Sequence, residues 1–170
     1  MQGRSLLPLL AADEPQRDAA IFGYWGGGIN VTDGRYTWFC YPRDMKNQDL
    51  YQYTLMPAHM TKLFTVEELQ SASLVPAFAW TKGVPLLRIA HRSKAGQRTH
   101  SYHFPEAMED TTTVLYDLAT DPGQTTPIHA SDVEARLRAA LFRLMQENDA
   151  PAEVVRRMQE SVGAEGFQTG

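Results

Sequence analysis

The only cysteine of the chain, Cys40, stands in the stretch Cys40-Tyr41-Pro42-Arg43, where a thiol precedes an arginine by three positions. A cysteine acts as a nucleophile only as its thiolate, which a nearby cation or a helix N-terminus stabilises. Two interpretations are open. Cys40 is either a nucleophile that Arg43 activates, or a small apolar residue on one strand of a hairpin.

The residues around Cys40 predict a β-hairpin. Asp33-Gly34 joins two alternating runs and is typical of a two-residue type I′ turn, which would place Thr32 opposite Arg35. Side chains alternate between the two faces of a strand, so one face carries the apolar set Ile29, Val31, Tyr36, Trp38 and Cys40. We expect this face to be buried and Cys40 to be a structural thiol.

The remaining candidates for chemistry form weaker patterns. His100 and His103 fall among residues that favour strands, where a spacing of three sends them to opposite faces and disfavours a zinc site. We interpret His59 as a loop histidine, with a place beside a cleft as the alternative. Arg92 and Arg98 belong to a basic stretch that we interpret as a solvated loop, with anion binding as the alternative. The residue patterns alone predict no catalytic site.

Length, charge and cysteine content restrict the class of protein. The 170 residues favour one domain with a real core, and a formal charge of −4 gives no reason to expect nucleic acid or an anionic membrane as partner. No apolar run reaches the roughly 20 residues that span a bilayer. One cysteine excludes an internal disulfide and favours the cytoplasm. We expect the apolar N-terminus, which Pro8 interrupts, to be a packed segment rather than a signal peptide.

The order of the predicted elements indicates an α+β fold. Strands are predicted at 19–25, on both sides of the hairpin turn, and at 50–56, 76–80, 85–91 and 113–118. Helices are predicted at 65–72 and 131–148, with a shorter one after them, and capping boxes are predicted at Thr65/Glu68 and Ser131/Glu134. We expect a single domain with an N-terminal segment (1–18), a region of sheet and loops (19–128) and a helical tail (129–170). Its antiparallel sheet, of about four strands, would be covered on one face by the long helix.

Several stretches, taken in order, resemble one family. The sequence GRSLLPLL (3–10) looks like the segment that follows the catalytic domain in sulfatases of the alkaline-phosphatase superfamily, and INVTDGRYTWFCYP (29–42) is similar to a hairpin of their C-terminal subdomain. LYDLATDPGQ (115–124) matches a Leu-Tyr-Asp-Leu, Asp-Pro pattern near the end of such enzymes. LYQYTLMPAHM (50–60) and RLMQENDAP (143–151) look like one bacterial subgroup. The resemblance covers nearly the whole chain.

This resemblance implies a C-terminal, non-catalytic portion of a sulfuric-ester hydrolase. In the family, a Cys/Ser-x-Pro-x-Arg motif supplies formylglycine, and Asp-Asp and Asp-Asn pairs hold a divalent metal, calcium. All of these lie upstream of the region that resembles this chain. Cys40-Tyr41-Pro42-Arg43 departs from the motif because its arginine comes one residue early, and the chain contains neither pair. We therefore carry over no catalytic residue, and we expect no cofactor in this chain and no activity from it alone.

The resemblance also implies a small four-stranded sheet with the long helix packed on it, and a missing sulfatase catalytic domain as partner. His59 with the preceding Met56-Pro57 turn, or the loop that carries Arg92 and Arg98, would border the substrate cleft. Without its partner the chain would expose an apolar patch that includes SLLPLL (5–10) and LVPAFAW (74–80), and we expect it to form homo-oligomers.

Alternatives to this function remain open at the level of the sequence. The chain could be a free-standing binding or assembly module without hydrolase activity. The parent enzyme could be periplasmic rather than cytoplasmic, and could hydrolyse phosphate or phosphonate esters rather than sulfate esters.

Overall fold

A computed structural model describes residues 5–12, 16–45, 48–56, 58–91 and 112–162. In chain order its elements are α1 (Leu7–Ala11), β1 (Ala20–Gly23), β2 (Ile29–Thr32), β3 (Tyr36–Phe39), β4 (Leu50–Thr54), α2 (Val66–Gln70), β5 (Ser73–Val75), a 3₁₀ turn (Ala79–Thr81), β6 (Leu86–His91), β7 (Val114–Asp117), α3 (Ser131–Glu147) and α4 (Ala152–Ser161). The α+β class predicted from the order of elements is confirmed.

The strands of the described residues form two antiparallel sheets. The first sheet has the order β1-β2-β3-β7 and the second the order β4-β6-β5. The expectation of one sheet therefore accounts for the first sheet alone. Strand β4 does not extend that sheet but pairs with β6, with Tyr51 opposite Ala90. Alternation along a sequence predicts where a strand lies but not which strand it pairs with.

The β2–β3 hairpin has the predicted faces but not the predicted register. Thr32 lies opposite Thr37 rather than Arg35, and Val31 lies opposite Trp38, so the pairing is displaced by two residues. A displacement of two leaves every side chain on its own face, because the side-chain period of a strand is two. Val31 and Trp38 of the apolar face are buried, as predicted, but so are Asn30 and Thr37 of the opposite face, so burial is not confined to the apolar side.

The turn itself explains the displacement. Gly34 has a φ of 94°, and the Asp33 amide donates to the Tyr36 carbonyl, so Gly34 and Arg35 are the central pair. Asp33 Oδ1 accepts hydrogen bonds from the amides of Arg35 at 2.9 Å and Tyr36 at 2.7 Å. An aspartate side chain that bonds the backbone two residues on favours the position before the turn, which moves the centre of the turn by one residue.

The main core lies between the first sheet and the two C-terminal helices. Its buried members are Ala19, Val31, Trp38, Cys40, Leu115, Leu137, Leu141, Phe142, Met145 and Met158. The apolar stripe predicted for α3 is confirmed at Leu137, Leu141 and Met145. The second sheet buries other side chains, Leu86 and Ile89 of β6 among them. Within the described ranges, no helix is long and apolar enough to cross a membrane.

The helix starts agree in part with the predicted capping boxes. At α2 the box is confirmed, because the Glu68 amide donates to Thr65 Oγ1 at 3.2 Å and the Thr65 amide donates to Glu68 Oε2 at 2.7 Å. At α3 the predicted box is wrong. Ser131 is already the first helical residue, and Ala130 holds the N-cap position with its amide 3.4 Å from Glu134 Oε1.

Two apolar stretches differ from their predictions. Residues 76–80 do not form a strand, and a 3₁₀ turn, Ala79–Thr81, follows Pro76, which has no amide proton to give to a sheet. The N-terminal stretch was expected to pack, but it forms the short helix α1 with no buried residue, and Leu10 is 85% exposed. Pro8 stands in the first turn of this helix, the position that proline favours.

The glycine run 26–28 allows the backbone to pass close to the end of β3, which gives a test of the fold. A Cβ at Gly28 would lie 2.7 Å from the Cys40 carbonyl oxygen, whereas a Cβ at Gly123 would have its nearest neighbour at 3.6 Å. We expect Gly28→Ala to lower the free energy of unfolding in urea by about 1–3 kcal/mol, because backbone has to move. Gly123→Ala is the matched control and should stay within about 0.5 kcal/mol of the unaltered protein. Equal effects would contradict this arrangement.

Candidate functional site

Cys40 lies inside the main core, at the end of β3. Its side chain is fully buried, its amide donates to Asn30 Oδ1 at 3.1 Å, and its carbonyl accepts from the Ile29 amide at 3.0 Å. The prediction of a buried structural cysteine is confirmed. Arg43 is exposed, as expected.

Burial raises the pKa of Cys40 to about 12, and hydrogen bonds with Thr113 and Ser161 oppose this rise without cancelling it. The positive charge that acts on the thiol belongs to Arg138 rather than to Arg43. A thiol that stays protonated and buried is a poor nucleophile. The chemistry suggested by Cys40-Tyr41-Pro42-Arg43 is therefore not supported.

His59 lies against the start of α2. Its Nε2 is 2.8 Å from Glu68 Oε1, and its ring packs edge-on against Phe64 with centroids 4.5 Å apart. Burial tends to raise the pKa of Glu68, but hydrogen bonds from the Thr65 amide and from His59 outweigh it and lower that pKa. The Glu68 carboxylate thus both caps α2 and binds the His59 imidazole. This gives His59 a structural role.

Of the other predicted site residues, the structure describes Met56 alone. Met56 is about half exposed, and its amide donates to Thr54 Oγ1 at 2.9 Å within a local turn. Arg92 and Arg98, with the basic loop that carries them, lie outside the described residues. Whether Met56 and His59 border the cleft of another domain stays a prediction.

The residues that the structure describes do not fit the metal and formylglycine that the resemblance implies for a parent enzyme. Cys40 is enclosed in the core, so it does not offer the exposed thiol that conversion to an aldehyde needs. Over the parts of the chain that the structure describes, no three His, Cys, Asp or Glu side chains are grouped so that they could hold a metal ion.

A polar cleft, which sequence reasoning missed, opens between the segment before β4 and helix α4. It has a volume of about 510 Å³. We call it the α4 cleft. One amide, Gln48, lines it together with three arginines and four carboxylates, which are Arg43, Arg156, Arg157, Asp44, Asp49, Glu153 and Glu160.

Two polar atoms of the α4 cleft are buried without a hydrogen-bond partner among the described residues: Gln48 Oε1 and Arg157 Nε. Burial lowers the pKa of Arg157, and the negative charge of Glu153 opposes that shift. The three arginines form no ion pair with any other residue in the described ranges. A buried polar atom without a partner costs free energy. Neither atom has accessible surface, so neither is open to a ligand in the cleft.

Contacts with the second sheet position the wall of the cleft. The Tyr53 hydroxyl of β4 donates to Glu153 Oε1 of α4 at 2.5 Å. Burial, followed by this bond to a carboxylate, raises the pKa of Tyr53, so the phenol keeps its proton. Asp149, in the turn before α4, accepts from the Ala79 amide at 2.8 Å. The first contact joins α4 to the second sheet, and the second joins the turn before α4 to the 3₁₀ turn.

No sequence signal would have found this cleft. One wall comes from Arg43, Asp44, Gln48 and Asp49, and the other from residues of α4 that are more than a hundred positions further on. In the sequence, the arginine pair at 156–157 indicates only the charged face of an ordinary amphipathic helix.

Comparison of the chain with protein-family models, with curated proteins and with solved structures finds no match.

Proposed function

We propose that this chain is a non-catalytic accessory domain of a sulfuric-ester hydrolase and supports a catalytic domain that is not part of it. The order of the stretches that resemble sulfatases supports this proposal, together with an α+β architecture in which the C-terminal helices cover a four-stranded sheet. The single cysteine, unpaired and buried, favours the cytoplasm as its location.

The observation that carries the proposal is an exposed apolar surface. Large apolar side chains that are about half exposed or more follow one another around α2 and the second sheet: Leu55, Met56, Met60, Leu63, Val66, Leu69, Leu74, Trp80 and Val84. Leu74 is 76% exposed and Trp80 is 58% exposed. Isolated apolar residues are common on protein surfaces, whereas contiguous apolar patches mark interaction sites, and we propose that these side chains form one such patch. We call this the 55–84 surface.

The first test concerns association. We expect the chain alone to self-associate reversibly at high concentration in sedimentation velocity, because the 55–84 surface is uncovered. Leu74→Asp and Trp80→Asp should each weaken this association by about tenfold, since a charge at an apolar contact costs at least about 1.4 kcal/mol. Ala135→Asp, on the exposed side of α3, carries the same charge and should leave the association unchanged. A monodisperse monomer at every concentration would contradict the prediction.

The second test separates the accessory domain from its alternative. If the coding sequence upstream of Met1 continues in frame into a Cys/Ser-x-Pro-x-Arg motif, the product of that sequence should retain this chain in a pull-down. Leu74→Asp should reduce the retention and Ala135→Asp should not. An upstream sequence without such a motif, or a catalytic domain that does not retain the chain, would exclude the proposal. Lack of sulfatase activity in the isolated chain is expected under both functions.

The alternative is a free-standing binding module without hydrolase activity. The α4 cleft favours it, because a concave polar site does not need a second domain in order to bind a small molecule.

A further inference from the structure

We propose that Met60 is an oxidation site: peroxide converts its thioether to a sulfoxide, and this change weakens association through the 55–84 surface. The inference rests on the proposed function, because it adds regulation to the surface that contacts the partner. Its first half, the selective oxidation of Met60, depends only on the exposure and position of this side chain.

Met60 is the most exposed methionine of the described residues. It is 92% exposed, against 48% for Met56, whereas Met145 and Met158 lie buried in the main core. Peroxide has to reach the sulfur atom, so a buried methionine reacts only after local opening of the fold. We therefore expect Met60 to react first among the methionines that the structure describes.

The exposure of Met60 follows from its place at the tip of a small hairpin. Ala58 and Leu63 form an isolated antiparallel bridge, and the residues between them make the tip. His59, next to Met60, binds Glu68 Oε1 through its Nε2 at 2.8 Å. Because this contact fixes the hairpin against α2, the exposed position of Met60 is a property of the fold.

The oxidation itself needs only the thioether and a hydrogen peroxide molecule. A lone pair of the sulfur attacks one peroxide oxygen, and the O–O bond breaks as the S–O bond forms. The proton of the transferred hydroxyl passes to the leaving hydroxide, which departs as water. The sulfur is oxidised by two electrons and the peroxide is reduced. Methionine sulfoxide reductases, with a dithiol as reductant, reverse the change.

The sulfoxide changes the polarity of the 55–84 surface at an apolar position. Leu63 is 79% exposed and Val66 is 66% exposed, so the hairpin and the start of α2 present apolar side chains close to Met60 in the chain. An apolar, polarisable thioether packs well against a partner. A sulfoxide oxygen covered by the same partner would lose its hydrogen bonds to water, which costs free energy. Oxidation should therefore favour the free chain.

The first experiment measures the oxidation rate of each methionine. The native chain is treated with hydrogen peroxide at a concentration where it is monomeric, and its peptides are analysed by mass spectrometry over time. We expect Met60 to react at least about tenfold faster than Met145 and Met158, with Met56 between them. In denaturant the four rates should become similar. Equal rates for Met60 and the two buried methionines in the native chain would overturn the inference.

The second experiment measures association by sedimentation velocity. Peroxide treatment should weaken the self-association of the unaltered chain by about tenfold, and a methionine sulfoxide reductase should restore it. Met60→Gln introduces a polar side chain and should weaken association without peroxide. Met60→Leu stays apolar and resists peroxide, so its association should survive the treatment. Met56→Leu is the matched control and should stay sensitive. Sensitivity of Met60→Leu equal to that of the unaltered chain would overturn the assignment to Met60.

The two experiments distinguish failure of this inference from failure of the proposed function. If the chain associates and oxidation of Met60 leaves the association unchanged, the inference is overturned while the 55–84 surface stands. If the unaltered chain does not associate at all, the surface is overturned together with its control by oxidation. The oxidation rates still decide in that case whether Met60 is an oxidation site.

Discussion

The native protein is expected to react with iodoacetamide at Cys40 at least about a thousandfold more slowly than an exposed cysteine at neutral pH. Burial raises the pKa of Cys40 to about 12, against about 9 for an ordinary thiol, so the thiolate fraction falls by about that factor. Enclosure of the sulfur in the core slows the reaction further, because alkylation then requires local opening. Mass spectrometry of the alkylated peptides measures the rate at each cysteine.

Two variants serve as controls for this experiment. Leu10→Cys places a second thiol on α1, where the native side chain is exposed, and this thiol should react at an ordinary rate in the same molecule. Arg43→Gln should leave the rate at Cys40 unchanged, because the charge of Arg138, not that of Arg43, acts on the thiol. Fast alkylation of Cys40 in the native state, slowed by Arg43→Gln, would show that Cys40 is a nucleophile that Arg43 activates. It would refute the non-catalytic function. In denaturant, Cys40 should become as reactive as the introduced thiol.

Leu141→Ala is expected to destabilise the fold by about 2–5 kcal/mol, which is a large part of the stability of an ordinary domain. Leu141 is completely buried in α3 and belongs to the cluster that joins this helix to Val31 and Trp38 of the first sheet. Its truncation removes apolar contacts and leaves a cavity that the rigid sheet cannot fill. Urea unfolding followed by circular dichroism measures the loss.

Leu10→Ala is the matched control, because the chemical change is the same and Leu10 is 85% exposed on α1. We expect it to change the free energy of unfolding by no more than about 0.5 kcal/mol. If both variants had equal effects, α1 would be packed in solution and the arrangement described for the N-terminal segment would be wrong.

The sequence by itself determined most of the strands, the long helix and the apolar faces, but not the helix α1 or the lack of a strand at 76–80. The burial of Cys40 followed from its place on the same strand face as Trp38. This prediction stayed correct although the hairpin register is displaced by two residues, because such a displacement leaves each side chain on its own face. The apolar stripe of α3 was equally readable, because helical and strand periods are properties of a few neighbouring positions. For the same reason the capping box at Thr65 was predictable from four consecutive residues.

Only the tertiary structure decided how those elements combine. Strand β7 pairs with β3, and Arg35 reaches Asp117 with two hydrogen bonds, at 3.0 and 3.3 Å, across 82 positions of sequence. The same holds for the separate second sheet and for the α4 cleft, whose wall at Gln48 meets Arg157 only when α4 packs on the sheets. Contacts between residues so far apart in sequence form only when the whole core forms cooperatively, so no local pattern of residues encodes them.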